Sequence, residues 1–396
     1  MVGERPAEVI HRTRGCATPW HRVQWTRHKT PHILISRRRS FKRCNQYRQH
    51  CTRVLHILQP FFTQQFITPH CRQASDLRNQ VLIKSQPWLR LSCGLGEGPF
   101  WEEDTNSLRF LDVVKQTVHR VDLNVGPSSH KVIREFDISI GCTADIEGNP
   151  SEFAFAGKYG FGVANKQTGE YRWIKKVWSE EEKAAGKPEK YRGNDGAVDS
   201  QGRFWAGFMF DPLTSAWATE GALFRLNTDG SLDRPLSNIT IPNGTTWNQA
   251  DNTLFWADSP FKTIYQFDYD VKTGAISNKR PFFTMPEDKR YGEGAVPDGH
   301  CIDEEGYMWT ALHGGSHVLR ISPEGEIVAE IKVPTQQPTC PCFCGDDLII
   351  TSAGGTGGPD GKGVDEFAGS VFKINVGVRG LKRFKYKGSV EAEVER

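Results

Sequence analysis

The sequence has no apolar run near the roughly 20 residues that a membrane-spanning helix requires, which argues against a helical membrane protein. Ten cysteines among 396 residues are too few for the disulfide framework of a small secreted domain. There is no Gly-x-Ser-x-Gly elbow, so His313-Gly-Gly-Ser316 has no serine nucleophile to serve and a serine hydrolase is disfavoured. The glycine-rich run 354–363 lacks the Gly-Lys-Ser/Thr ending of a phosphate loop. Acidic residues are scarce at the start: residues 1–80 hold three (Glu4, Glu8, Asp76) against 15 Lys and Arg. Beyond residue 80 the balance reverses, with 44 acidic against 35 basic residues. A body of that sign is a poor nucleic-acid binder, since phosphate contacts dominate such affinity.

The basic start also holds seven of the 12 histidines. It has no clean secretory core, and its Arg-rich, acid-poor composition is that of an organelle transit peptide without the amphipathic period. Residues 1–82 therefore read as a disordered extension of a body spanning 83–396. The expected location is cytoplasmic, with organelle targeting through the extension as the alternative. The sequons at Asn238 and Asn243 are expected to stay unglycosylated. Cys340, Cys342 and Cys344 alternate as on a strand, closer together than zinc-ligand pairs.

From about residue 83 the pattern is one of short strands and turns. Six apolar segments open at Leu108, Phe153, Phe204, Leu254, Met308 and Leu348, spaced by 45, 51, 50, 54 and 40 residues. Turn signals precede them, as in Asp104-Thr-Asn-Ser107, Ser200-Gln-Gly202 and Asp303-Glu-Glu-Gly306. Second strands follow several, as at Val118, Leu223, Ile264, Val318 and Val371. Four strands per roughly 50 residues, six times over, predict an all-β six-bladed β-propeller. A single helix is expected at 179–186, capped by Ser179 and stopped by Gly186, as a surface insertion in the third blade.

Ten or eleven residues before four of the apolar segments stand Glu97, Asn194, Asn243 and Asp298, each beside or one removed from a glycine. One Asn-Gly or Asp-Gly pair is a turn and nothing more. Four at one phase of a propeller repeat converge on the mouth of its channel. Glu97 lies 146 residues from Asn243 and 201 from Asp298, so only circular closure makes them neighbours. Two packed carboxylates repel, and a divalent cation removes the conflict. Oxygen donors favour Ca²⁺, with Mg²⁺, Mn²⁺ or Zn²⁺ as alternatives. Asp195 competes with Asn194 for the inward position.

Four blocks carry a family resemblance: Gly96-Glu-Gly-Pro-Phe-Trp101, Arg192-Gly-Asn-Asp-Gly196 through Phe204-Trp-Ala-Gly207, Pro242-Asn-Gly-Thr-Thr-Trp247, and Pro297-Asp-Gly-His-Cys-Ile-Asp303. Together they resemble the senescence-marker-protein/gluconolactonase/luciferin-regenerating-enzyme family, in order, over about residues 94–375. The resemblance implies a six-bladed propeller with one divalent metal in its channel that hydrolyses sugar lactones. It implies Glu97, Asn243 and Asp298 as metal ligands, Arg192 and Asn194 as substrate contacts, and Asp298 as general base. The metal would polarise the lactone carbonyl and activate water. Where family members can carry a substrate-binding Glu after Met209, this chain has Phe210-Asp211-Pro212, and Asp211 is the candidate substitute. Phosphotriester hydrolysis on the same metal and a non-enzymatic calcium-binding regulator are the alternative functions.

Overall fold

The structure, a computed structural model, describes residues 8–10, 80–354 and 365–392. Six antiparallel sheets lie within 96–135, 140–176, 191–239, 242–284, 296–332 and 338–375, and are called blades 1 to 6. Each starts with an inner strand: Gly96–Glu102, Ile140–Ile146, Tyr191–Val198, Pro242–Trp247, Val296–Ile302 and Pro338–Cys344. Each inner strand packs on the inner strands of both neighbouring blades, and the last meets the first, so the ring is closed. This is the six-bladed β-propeller expected from the spacing. The Cys340, Cys342 and Cys344 run is strand, as its alternation implied, and all three thiols are buried.

A blade cannot cover both faces of its own sheet, so the core divides among the blade interfaces. One apolar cluster lies at each, such as Trp205, Leu223, Trp247 and Trp256 between blades 3 and 4. Trp205 and Trp309 occupy matching positions on second strands, and with Trp256 they are among the largest fully buried side chains. Burying rings of that size contributes heavily to the stability of the fold.

Two segments depart from a plain sixfold repeat. Blade 6 has three strands, and its fourth place is taken from the front of the body: Leu89 and Val371 exchange backbone hydrogen bonds at 3.0 and 2.9 Å, and Cys93 N donates to Gly369 O at 3.1 Å. Gln80–Ile83 lies parallel to the outer strand Ile327–Lys332 of blade 5, with Glu8–Ile10 antiparallel outside it. That strand crosses the 82/83 boundary expected from composition. The rest of the expected disordered extension lies outside the described residues, as does most of the 354–363 glycine run.

The helix Glu180–Ala184 leads from blade 2 into blade 3, with Ser179 and Glu182 forming a capping box and Gly186 at φ +74° ending it. Among the described residues no helix is long and apolar enough to cross a membrane.

Candidate functional site

All six inner strands carry a register irregularity in the half where the polar residues of the repeat stand. The shifts fall between Glu97 and Phe100, Gly193 and Gly196, Asn243 and Thr245, and Pro297 and His300. A bulge breaks the alternation of side chains and re-aims them. The effect is clearest in blade 3. Gly193 pairs with Phe208 and Gly196 with Ala206, so Asn194 and Asp195 together oppose one residue. The sequence left these two competing for the channel, and the bulge admits both.

The residues named from sequence come together. Glu97, Arg192, Asn243 and Asp298 are buried and Asn194 is half-buried. Burial raises the Glu97 carboxyl well above its usual range, and the charges of Asp298 and then Asp195 push it further. Asp298 is raised the same way, first by burial and then by Asp195. Asp195 is raised by burial although its two oxygens accept the Gly196 and Gly244 amides, both at 2.7 Å. Burial lowers Arg192, opposed by the charges of Asp211, Glu97 and Asp298.

Asn243 has a fixed orientation. The Ser259 hydroxyl donates its proton to Pro297 O at 2.6 Å and so must accept from Asn243 Nδ2 at 2.9 Å. Asn243 Oδ1 is thereby turned to the other side, where it accepts from Asn194 Nδ2 at 2.7 Å. Asn194 Oδ1 in turn accepts from Arg192 Nη1 at 2.8 Å. A chain of hydrogen bonds therefore runs from Arg192 through Asn194 and Asn243 to Ser259.

Sequence reasoning did not find Ser259 or the role of His313. His313 Nδ1 stands 3.5 Å from Asp298 Oδ2. His313 ends the second strand of blade 5 opposite Val296, as Asp112 and Asp258 end theirs opposite Gly96 and Pro242. Asp211, named as a substitute ligand for substrate, lies 3.9 Å from Arg192 Nε and accepts the Leu213 amide.

The donor set fits a hard cation. Glu97 and Asp298 are buried like charges, and their direct hydrogen-bond donors are few: Gly98 N on Glu97 at 3.1 Å, and the Gly299 backbone on Asp298. Asn243 Oδ1 supplies a neutral oxygen, linked to Arg192 beside them through Asn194. Among the described residues no group of three or more His, Cys, Asp or Glu side chains is disposed to hold an ion. The set here is instead two carboxylates and an amide, which suits Ca²⁺ or Mg²⁺ better than a thiolate-binding metal.

Further along the inner strands a cavity of about 300 Å³ opens, lined by Asp195, Thr245, His300 and the thiols of Cys142, Cys301 and Cys340. The C-terminal segment, including Leu381 and Arg383, lines it as well. Both ring nitrogens of His300 lack a hydrogen-bond partner, and burial lowers its pKa to about 4. Burial raises all three thiols well above their usual range.

Known proteins resemble this chain in both sequence and fold. Residues 95–354 match the family described as SMP-30/Gluconolactonase/LRE-like region. The chain is 32% identical to the regucalcin of Sus scrofa over 318 residues, covering 77% of this chain and 99% of that protein. It is 31% identical to a pentonolactonase of Haloferax volcanii over 301 residues, covering 74% of this chain and 95% of that one. A solved luciferin-regenerating enzyme superposes with a TM-score of 0.66 at 28% identity, covering 75% of this chain and 96% of its own.

Proposed function

This chain belongs to the SMP-30/gluconolactonase/LRE-like family, and from that premise we propose that it is a metal-dependent hydrolase that opens lactone rings, with sugar (aldono-) lactones as the substrate class. The observation that supports the reading is that Glu97 and Asp298, from blades 1 and 5, are buried within reach of each other's charge and of Arg192, which Asn194 links to Asn243 of blade 4. The match to a pentonolactonase over most of both chains supports the choice of lactones.

Glu97, Asn243 and Asp298 would hold a divalent cation, Ca²⁺ by preference, and such an ion supplies Lewis-acid polarisation of the ester carbonyl. The chain's own residues do the rest. Arg192 presents a rigid donor fork to the lactone oxygens, and Asn194 fixes the guanidinium through Nη1. An Asp298 carboxylate oxygen takes a proton from the attacking water as the water oxygen bonds to the carbonyl carbon. The ring C–O bond then breaks, and the proton passes to the departing ring oxygen, leaving a hydroxy acid. Deep burial removes competing water and strengthens these interactions.

The test is hydrolysis of glucono-δ-lactone by the purified chain, before and after exhaustive chelation. The reading requires turnover that chelation abolishes and a divalent cation restores. Turnover that persists without metal would overturn the metal-dependent mechanism.

A further inference from the structure

The hydrogen bonds that link Arg192 to Ser259 continue to Pro297, and the two ends of this relay have fixed polarity. Arg192 can only donate, and its Nη1 donates to Asn194 Oδ1 at 2.8 Å. Asn194 therefore presents its amide nitrogen forward, and Nδ2 donates to Asn243 Oδ1 at 2.7 Å. At the other end the Pro297 carbonyl can only accept. It takes the single Ser259 hydroxyl proton at 2.6 Å, which leaves the Ser259 oxygen to accept from Asn243 Nδ2 at 2.9 Å. Every step runs one way, from blade 3 through blade 4 to the residue just before Asp298 in blade 5.

This polarity matters most at Asn243. A flip of that amide would exchange oxygen for nitrogen and turn two hydrogens where a cation needs a lone pair. The carbonyl oxygen has two lone pairs, so it can accept from Asn194 and still face an ion. The Ser259 oxygen, with its own proton committed to Pro297, is the acceptor that selects this orientation.

Blade 1 supplies an internal comparison. Its second strand ends in Asp112, whose carboxylate accepts the Gly94 and Leu95 amides, and the next residue, Val113, donates its amide to Leu95 O at 2.9 Å. Blade 4 repeats this clamp: Asp258 accepts the Thr240 and Ile241 amides, and Ser259 N donates to Ile241 O at 3.0 Å. In blade 1 the clamp is complete with a buried valine, so it makes no demand for a hydroxyl at this position. In blade 4 the position carries one, 1% exposed, and both of its bonds go to the inner strands that bear Asn243 and Asp298. Lys262 N closes the turn onto Ser259 O at 2.9 Å, so the hydroxyl stands on a tied backbone.

We propose that Ser259 is a positioning residue for the cation, its hydroxyl holding the Asn243 amide with Oδ1 toward the ion. The proposal rests on the metal-dependent reading and adds to it a residue that touches neither ion nor substrate.

The experiment is calorimetric titration of Ca²⁺ into the metal-stripped full chain, for wild type, Ser259→Ala, Asn243→Ala and the double variant, with urea midpoints of the metal-free proteins alongside. Ser259→Ala is expected to keep one ion per chain and to weaken it about tenfold, within the span usual for residues that orient a metal ligand. In the Asn243→Ala background the same change weakens binding by less than about threefold, because the amide it orients is gone. Ser259→Thr, which keeps the hydroxyl, keeps most of the wild-type affinity. Unchanged affinity in Ser259→Ala overturns the proposal. An equal loss in both backgrounds overturns it as well, as does a loss shared by Ser259→Ala and Ser259→Thr together with a lowered urea midpoint in both, since each is what a merely structural serine would give. No Ca²⁺ binding by the wild-type chain removes the proposed cation site, and this inference with it.

Discussion

Two sets of buried carboxylates stand at opposite ends of the inner strands, and they are provisioned in opposite ways. At the far end, Asp303 accepts from the Glu305 and Tyr307 amides, Trp309 Nε1 and two nitrogens of Arg320, all between 2.7 and 3.0 Å. Asp199 has the same surroundings, with the Gln201 and Arg203 amides, Arg203 Nε, Trp205 Nε1 and the Tyr269 hydroxyl. At the site end, Glu97 and Asp298 are also buried, but burial and neighbouring carboxylates (Asp298 and Asp195 for Glu97, Asp195 for Asp298) raise their proton affinity, and they have few donors. Saturated carboxylates hold a turn, a tryptophan and an arginine in place. Under-supplied ones are what the proposed cation site requires.

Substitution at each end breaks that contrast in a different quantity. Asp298→Asn is expected to cut kcat on glucono-δ-lactone by about 10²–10⁴-fold, the usual span for loss of a general base. Its urea midpoint should hold or rise, because a buried like charge has been removed. A variant that unfolds instead would place Asp298 with the structural carboxylates. Asp303→Ala should do the reverse, leaving the buried Arg320 with only the half-exposed Glu305 as its carboxylate partner, at a cost of about 3–5 kcal/mol in urea unfolding.

A third prediction concerns acid. Burial, then His130, lowers His119 to about 4 from an ordinary 6.5. The unfolded chain binds this proton more readily, so stability is lost as pH falls from 6.5 towards 4. At roughly 1.4 kcal/mol per pKa unit the loss approaches about 3 kcal/mol. His119→Gln should flatten that slope, and an unchanged slope would show that His119 is not held neutral.

Asn243→Ala should weaken Ca²⁺ binding about tenfold or more, some 1.4 kcal/mol, with thermal stability falling only slightly. Equal affinity would remove its amide oxygen from the ion. The smallest effect belongs to the front of the chain. Deleting residues 1–79 should leave turnover unchanged, whereas extending the deletion through Ile83 strips a parallel strand from blade 5 and should lower the melting temperature.

The repeat was legible because blade architecture imposes a period of about 50 residues, and the Glu97, Asn194, Asn243 and Asp298 phase was legible because each stands beside or near a glycine at a bulge. Closure through Leu89 and Cys93 was not, since it pairs residues about 280 positions apart without a local signal. Nor was the choice between Asn194 and Asp195, because strand alternation admits one residue and the bulge between Gly193 and Gly196 admits two. Ser259 and His313 stayed hidden for a similar reason. Their partners lie on inner strands, and a second strand's end reads as an ordinary turn until its register is known.

Calorimetric titration of Ca²⁺ into the metal-stripped chain, beside the Glu97→Gln/Asp298→Asn variant, tests the central claim most directly. One ion per wild-type chain and none in the folded variant is the expected result. Equal stoichiometry and affinity in both would mean that these carboxylates do not hold the cation.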